Sequence, residues 1–286
     1  MKQKTAAAAK AVNAGGLRKR SFLEKTAAVP HIVWTVLFIV APLLIVAYYA
    51  ISGIGRSDIS LLDYGPTFLM SICFALIATV VCLLIGYPLA YFMSRTGERA
   101  QKFLLILVMM PMWINLLIRT YSLMALLDRG GLVSSLIQRL GGSGLKFVGT
   151  PGAVILGMVY DFLPYMVLPI FTAMTKLDNR YIEAAQDLGC NPFKVMTRVV
   201  VPLTVPGVVS GVTMVFVPSI STFYISQKMG VGSFDLIGDA IERQFANPTT
   251  YRVGSAVSLV MMLLILASIA IMNRFTDDDE EGGIIV

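Results

Sequence analysis

The sequence predicts an all-α membrane protein with six transmembrane helices. Two observations predict this class: the 286-residue chain is 56% hydrophobic and 14% charged, and its apolar residues form long runs. A soluble domain has about a quarter charged residues, and a helix needs about 20 apolar residues to cross the hydrocarbon core. The runs that reach this length lie at 31–52, 68–93, 101–127, 151–174, 199–226 and 254–272.

The first run is expected to be a retained membrane span and not a cleaved secretory signal. It extends from Val29 to about Ser52, which is longer than the apolar core of a signal peptide. Tyr48 would occupy the −3 position of a cleavage site ending at Ala50, where signal peptidases require a small residue. The preceding tail, 1–28, is basic and has no long apolar period, so we expect it to be disordered.

The placement of Lys and Arg predicts that both termini face the cytoplasm. Fifteen of these residues lie on the side of the N-terminal tail, the 94–102 and 175–198 loops and Arg274, and seven lie on the other side. Cytoplasmic loops are enriched in Lys and Arg. We therefore expect a membrane domain at 29–273 and a solvated acidic cytoplasmic tail at 274–286. The net charge of +6 follows this topology and does not indicate a nucleic-acid partner.

Composition and motifs argue against catalysis by this chain. The three cysteines, Cys73, Cys82 and Cys190, are too few and too scattered for a disulfide framework or a metal site. His31 is the single histidine, which excludes most histidine-based chemistry. The sequence has no G-x-x-x-x-G-K-[ST] phosphate loop. We expect no catalytic residue, no metal and no cofactor in the chain itself.

The stretch EAAQDLGCNPFKVMTRVVVP, 183–202, is charged although apolar spans flank it. Asp178 can cap a helix that ends before Gly189, because glycine suits the left-handed position after a helix. Asn191 and Pro192 then restart a helix, as cap and first residue. The sequence predicts an exposed, amphipathic helix–turn–helix elbow on the cytoplasmic side. Such an elbow is equally consistent with a simple connection between spans and with a docking site.

The elbow resembles the EAA loop of ABC-importer permeases. The residues that match the motif are Glu183, Ala184, Ala185, Gly189, Val199, Val201 and Pro202. Valine stands where the motif usually has isoleucine and leucine, which keeps the apolar character. The resemblance implies that the 176–202 loop, including Asp187 and Pro192, fits a groove on a separate ATPase subunit.

The resemblance extends over most of residues 30–272. The segments LIGYPLAYFMS (84–94), PMWINLLIRTYSL (111–123), GMVYDFLPYMVLPIF (157–171) and FVPSISTFYIS (216–226) resemble the first permease subunit of spermidine/putrescine importers. This implies the MetI-like fold of type I ABC importers, in a bacterial inner membrane. It also implies partners: a homologous second permease, two ATPase subunits that bind ATP and magnesium, and an extracytoplasmic polyamine-binding protein.

Two formally charged residues inside the predicted spans, Arg119 and Asp161, define a candidate functional site. With a rise of 1.5 Å per residue, Arg119 lies about 12 Å and Asp161 about 15 Å from the outer ends of their spans. Ionisable groups in lipid are costly and often mark function. Two interpretations stay open. The two residues form an ion pair between helices, or Asp161 faces the pathway and receives a substrate ammonium group.

Aromatic side chains near these charges suit a cationic substrate, because ammonium groups bind aromatic faces. The candidates are Tyr160, Phe162, Tyr165, Trp113, Tyr121, Phe223 and Tyr224. Aromatic residues near span ends are also typical of the interfacial belt. Downstream, the apolar spacing in 234–245 predicts a short outer helix.

Three alternative functions compete with polyamine import. A related ABC permease for another small solute has the same motifs. A self-contained secondary carrier needs acids for its coupling ions, and Asp161 is the sole acid in the predicted spans. A membrane enzyme needs a nucleophile–base or metal constellation, which the sequence lacks.

Overall fold

The computed structural model describes residues 22–53, 61–139 and 147–282, and all regular structure within these ranges is helical. This agrees with the predicted class. The first span is one continuous rod of three segments. Helix α1 spans Phe22–Thr35, a π-helical segment follows at Val36–Val40, and α2 spans Ala41–Gly53.

Eleven further α-helices follow in the described residues, some joined by short 3₁₀ or π segments. They are α3 (Gly65–Ser94), α4 (Glu98–Met109), α5 (Leu116–Leu127), α6 (Leu132–Arg139), α7 (Pro151–Thr175), α8 (Asn179–Asp187), α9 (Pro192–Val195), α10 (Val201–Ser221), α11 (Tyr224–Gly230), α12 (Ile237–Ala246) and α13 (Tyr251–Gly282). The 3₁₀ segments are Leu61–Tyr64, Met110–Trp113 and Pro248–Thr250, and a second π segment is Met196–Val200.

Five stretches are long and apolar enough to cross a membrane as single helices. They are Val29–Ser52, Leu62–Ser94, Pro151–Thr175, Pro192–Ser221 and Pro248–Met272. The apolar side chains of the first are mostly exposed, as expected for a helix in contact with lipid. The prediction of spans at these five places is confirmed, but the helix of the span predicted at 199–226 ends at Ser221 and not at residue 226.

The predicted third span, 101–127, is not one straight helix. Its two halves, Glu98–Trp113 and Leu116–Ile137, meet at an angle of 95°. Pro111 cannot donate a helical hydrogen bond, and the Asn115 side chain caps α5 by accepting from the Leu117 amide at 2.8 Å. The described residues therefore contain five candidate membrane spans, or six if this bent pair of helices forms one broken span.

The helical boundaries extend beyond the predicted membrane domain at both ends. Helix α1 begins at Phe22 and not at Val29, and α13 continues past Arg274 to Gly282. The rest of the tail predicted to be disordered, 1–21, lies outside the described residues, as do 283–286.

Helix α7 is the centre of the fold and packs against both α3 and α10. Its side chains Met158, Met166 and Ile170 are fully buried. At the α7–α10 contact, a Cβ on Gly207 would lie 2.5 Å from the Ala173 Cβ. The α7 and α10 backbones therefore approach closely at Gly207. The first span lies at the periphery, where α2 packs against α13.

Candidate functional site

The elbow between α7 and α10 has the predicted caps. The Asp178 carboxylate accepts from the Arg180 amide at 3.0 Å, and the Asn191 side chain accepts from the Lys194 amide at 2.8 Å. Gly189 has a φ of +80°, which is the left-handed conformation that favours glycine. Pro192 is the first residue of α9. The helix–turn–helix prediction is confirmed in each of these details.

The tip of the elbow is exposed, and its base is packed against the membrane helices. Leu188 is 86% exposed and Phe193 is 75% exposed, whereas Ile182 and Ala185 pack against the main core. The other residues that the resemblance assigned to coupling lie on or near the surface: Glu183, Ala184, Asp187, Gly189 and Pro192 are exposed, and Pro202 is exposed at the start of α10. Large apolar side chains clustered on a polar surface mark a protein contact.

Two features connect the base of the elbow to neighbouring helices. Arg95, just after α3, donates from Nη1 to the Asn179 side-chain oxygen at 2.9 Å, and its guanidinium lies 5.1 Å from the Tyr91 ring centroid. A cleft of about 820 Å³ opens between α7 and α10, with Lys176 and Tyr181 in its wall. The elbow is thus attached to α3 as well as to its own two helices.

Arg119 on α5 and Asp161 on α7 lie together, with Nη1 and Oδ1 3.4 Å apart and side chains 7% and 1% exposed. Thr120 donates to Asp161 Oδ2 at 3.3 Å, and Arg119 Nη1 is 3.5 Å from the Asp161 carbonyl oxygen. Among the described residues, Arg119 Nε and Asp161 Oδ1 have no well-aligned hydrogen-bond partner. This geometry is that of the ion-pair interpretation, because the carboxylate is closed off from the surface.

Within the described residues, the aromatic candidates form two pairs, Tyr121 with Tyr224 and Phe162 with Tyr165, and the others are single rings. Tyr121 on α5 and Tyr224 on α11 have ring centroids 6.0 Å apart at 78°, an edge-to-face arrangement. Lys228 lies over both rings, with Nζ 5.3 Å from the Tyr121 centroid and 5.8 Å from the Tyr224 centroid.

The remaining aromatic candidates lie apart from this pair. Trp113 is 78% exposed at the bend between α4 and α5, and Tyr160 and Tyr165 are partly exposed on α7. Phe162 pairs with Tyr165, with centroids 6.4 Å apart. Phe223 is partly exposed just before α11. Of these two pairs, Tyr121–Tyr224 is the one that joins rings from different helices, because Phe162 and Tyr165 both lie on α7.

Two polar residues of this region were missed from the sequence. Lys228 stands four residues after Tyr224, a spacing that makes helical neighbours, so this contact was detectable in principle. No sequence pattern indicated Thr120, because its hydrogen bond to Asp161 depends on how α5 packs against α7.

The short outer helix predicted within 234–245 is present as α12. Asp239 is buried, and its Oδ2 accepts from the Leu236 amide at 2.9 Å at the start of this helix. Burial raises the pKa of the Asp239 carboxyl above its usual range. Asp235 pairs with Arg243 through two hydrogen bonds of 3.0 and 2.7 Å at the surface.

Comparison with known proteins identifies the family to which this chain is related. Residues 83–278 match the family described as binding-protein-dependent transport system inner membrane component. The chain belongs to this family. It is therefore a multi-pass inner membrane permease subunit of a transport system, and not an enzyme.

Relatives within the family cover most of the permease. It is 39% identical over 200 residues to the spermidine/putrescine transport system permease protein PotB of Haemophilus influenzae, covering 69% of this chain and 70% of the relative. It is 36% identical over 248 residues to the protein of that name from Escherichia coli, a match that covers 81% of this chain and 90% of the relative.

Solved structures of ABC transporters have the fold of this permease. A chain of a bacterial alginate ABC transporter in complex with its periplasmic protein superposes with a TM-score of 0.69 at 18% identity, covering 90% of this chain and 96% of that one. A chain of the inward-facing MetNI methionine ABC transporter superposes with a TM-score of 0.55 at 16% sequence identity. The match covers 74% of this chain and 94% of that one. The predicted MetI-like permease fold is confirmed.

Proposed function

We propose that this permease is one half of the pore of an ATP-driven importer of polyamines, with spermidine and putrescine as substrates. Support for the substrate comes from relatives named for these amines, which are 35–39% identical over most of the chain. The observation that carries the coupling role is the capped, exposed elbow α8–α9, which has the residues of the EAA motif.

The elbow is suited to pass a rigid-body displacement into the membrane. Its turn is closed onto the end of α8, because the Gly189 amide donates to the Gln186 carbonyl at 2.8 Å and the Cys190 amide donates to the Ala185 carbonyl at 3.1 Å. From α9 the chain is helical without a break into α10, which packs on α7. A movement of the elbow therefore moves the helices at the centre of the fold.

The proposed assembly has four kinds of partner. A homologous second permease completes the pore, two ATPase subunits bind ATP and magnesium and grip the elbow, and an extracytoplasmic binding protein delivers the amine. Lipid surrounds the spans. This chain supplies no catalytic residue and no metal ligand, and both of its termini lie in the bacterial cytoplasm.

Within the pore we assign different roles to the two intramembrane charges and to the aromatic residues. The Arg119–Asp161 ion pair holds α5 on α7. The ammonium groups of the substrate pass along aromatic faces, chiefly Tyr121 and Tyr224, with Trp113, Tyr160 and Tyr165 at further points.

Uptake of radiolabelled spermidine and putrescine tests this function. The complete complex is reconstituted in proteoliposomes, with ATP inside and the binding protein outside. We expect uptake that requires both ATP and the binding protein. An assembled complex that hydrolyses ATP yet imports neither amine would contradict the substrate, and uptake without any ATPase would contradict the coupling.

A further inference from the structure

The Tyr121–Tyr224 pair already holds a cation that belongs to the chain itself. The distances from Lys228 Nζ to the two centroids, 5.3 and 5.8 Å, are within the range of about 6 Å for a cation–π contact. In the described part of the chain, Lys228 has no Asp or Glu oxygen within 4.0 Å. Its ammonium group is therefore held by aromatic faces and not by a carboxylate.

Both walls of this aromatic notch are fixed to the central helix. Helix α11, which carries Tyr224, packs on α7 at Gly157, where an added Cβ would meet Met229 Sδ at 2.5 Å and Ile225 Cγ2 at 2.8 Å. Helix α5, which carries Tyr121, is held on α7 by the ion pair described above. The lysine side chain, with its flexible four-carbon stem, is the part of the notch that can move.

We propose that the Tyr121–Tyr224 pair is a subsite for a primary ammonium group and that Lys228 fills it when no substrate is present. This inference rests on the proposed polyamine transport. The end of a polyamine and the end of a lysine side chain are the same group, a methylene carrying an ammonium. A notch that accepts one has the size and charge preference for the other.

Lys228 and the substrate compete for the notch because two unit charges of like sign repel at this distance. Substrate binding therefore includes the displacement of Lys228, which weakens the apparent affinity. Weak binding suits a transport pathway, since a subsite must release its cargo as well as bind it. In the empty state the tethered ammonium keeps other cations out of the notch.

The test compares Lys228→Met with Lys228→Arg in the reconstituted complex. Removal of the competing charge should lower the KM for spermidine uptake about tenfold, which corresponds to about 1.4 kcal/mol. Lys228→Arg retains a cation over the rings and should keep the KM near that of the unmodified protein. Arg139→Gln, which removes an exposed positive charge at the end of α6, is the matched control and should leave the KM unchanged.

A second substitution distinguishes competition from simple anchoring of α11. Tyr224→Leu in the Lys228→Met background removes the vacated ring and should raise the KM again. If Lys228 only anchors the helix, Lys228→Met should instead raise the KM or reduce turnover, and that result overturns the inference.

Assembly of each complex is checked by co-elution in gel filtration, with Lys228→Gln as an alternative variant. Loss of assembly in both uncharged variants would show a structural role and would also overturn the subsite. If spermidine uptake has the same KM in all Lys228 variants, the result contradicts the proposed subsite but not the proposed function. Absence of uptake by the unmodified complex contradicts the proposed function, and the subsite with it.

Discussion

Arg119 and Asp161 are oppositely charged residues whose side chains are both buried between helices α5 and α7. Both charged groups are desolvated by burial. The 3.4 Å distance between Arg119 Nη1 and Asp161 Oδ1 is long for a charge-assisted hydrogen bond. Removing one partner of a buried pair leaves an uncompensated charge, while replacing both by apolar residues is often neutral. A comparison of the single and double variants therefore distinguishes an ion pair between helices from a substrate contact.

We expect Asp161→Asn to destabilise the permease by about 3–5 kcal/mol, because it leaves the buried Arg119 unpaired. The double variant Arg119→Met/Asp161→Leu should regain most of that stability and retain polyamine uptake. Thermal unfolding of the detergent-solubilised complex and uptake in proteoliposomes measure the two effects. A stable double variant without uptake would show that the Asp161 carboxylate itself is required by the substrate.

Gly189 is a residue whose backbone conformation decides the shape of the elbow. An added Cβ would meet nothing within 4 Å, so there is space for a side chain at this position. The constraint is the backbone conformation, because the φ of +80° is one that residues with a side chain rarely adopt. For alanine this conformation costs roughly 1–2 kcal/mol, which lowers the ratio of native to altered elbow by a factor of about 5–30.

Gly189→Ala is therefore expected to reduce ATP-driven uptake, and Gly189→Asn to reduce it less, because asparagine tolerates the left-handed region. Gly97→Ala is the matched control, since Gly97 has equal space and an ordinary φ of −68°. Uptake and ATPase activity are measured on the same samples. Equal activity of the Gly189→Ala variant and the unmodified protein would show that the elbow tolerates a different angle.

At the scale of whole elements, the contact between α7 and α10 depends on small residues. A Cβ on Gly207 would lie 2.9 Å from the Pro169 carbonyl oxygen, which is backbone and cannot move aside. A Cβ on Gly157 would meet only side-chain atoms at such short range, Met229 Sδ at 2.5 Å and Ile225 Cγ2 at 2.8 Å, and side chains can shift more easily than backbone. The two glycines, one on α10 and one on α7, thus differ in what surrounds them.

We expect Gly207→Ala to destabilise the permease by about 1–3 kcal/mol, the usual cost of overpacking. Gly157→Ala should cost less, and Gly65→Ala, where nothing lies within 4 Å, should cost least. The melting temperature of the solubilised complex measures this order. A Gly207→Ala protein as stable as the Gly65→Ala protein would show that α10 can move away from α7 at little cost.

At the scale of the whole molecule, the distribution of charge predicts the orientation. The predicted topology assigns fifteen Lys and Arg residues to the side of the elbow and both termini, and seven to the other side. The elbow tip, at Leu188, and the loop at Asn247 are both exposed and lie on opposite sides in this topology. They can therefore report which side faces the cytoplasm.

Single cysteines introduced by Leu188→Cys and Asn247→Cys, in a protein whose Cys73, Cys82 and Cys190 have been replaced, measure the orientation. On intact spheroplasts, a membrane-impermeant maleimide should label the cysteine at 247, and label the one at 188 only after permeabilisation. The reverse pattern would place the elbow outside, where no ATPase could reach it, and would contradict the proposed coupling.

Local chemistry allowed the sequence by itself to determine the helical class, five of the spans, the elbow and its caps. Run length, capping side chains and the need for glycine at a left-handed turn act within a few residues, so they can be read without knowing the fold. Only the tertiary structure decided the 95° bend between α4 and α5, the partner of Asp161 and the position of Lys228. A span that is apolar on all sides does not reveal which face meets which neighbour. These contacts depend on how α5, α7 and α11 pack together.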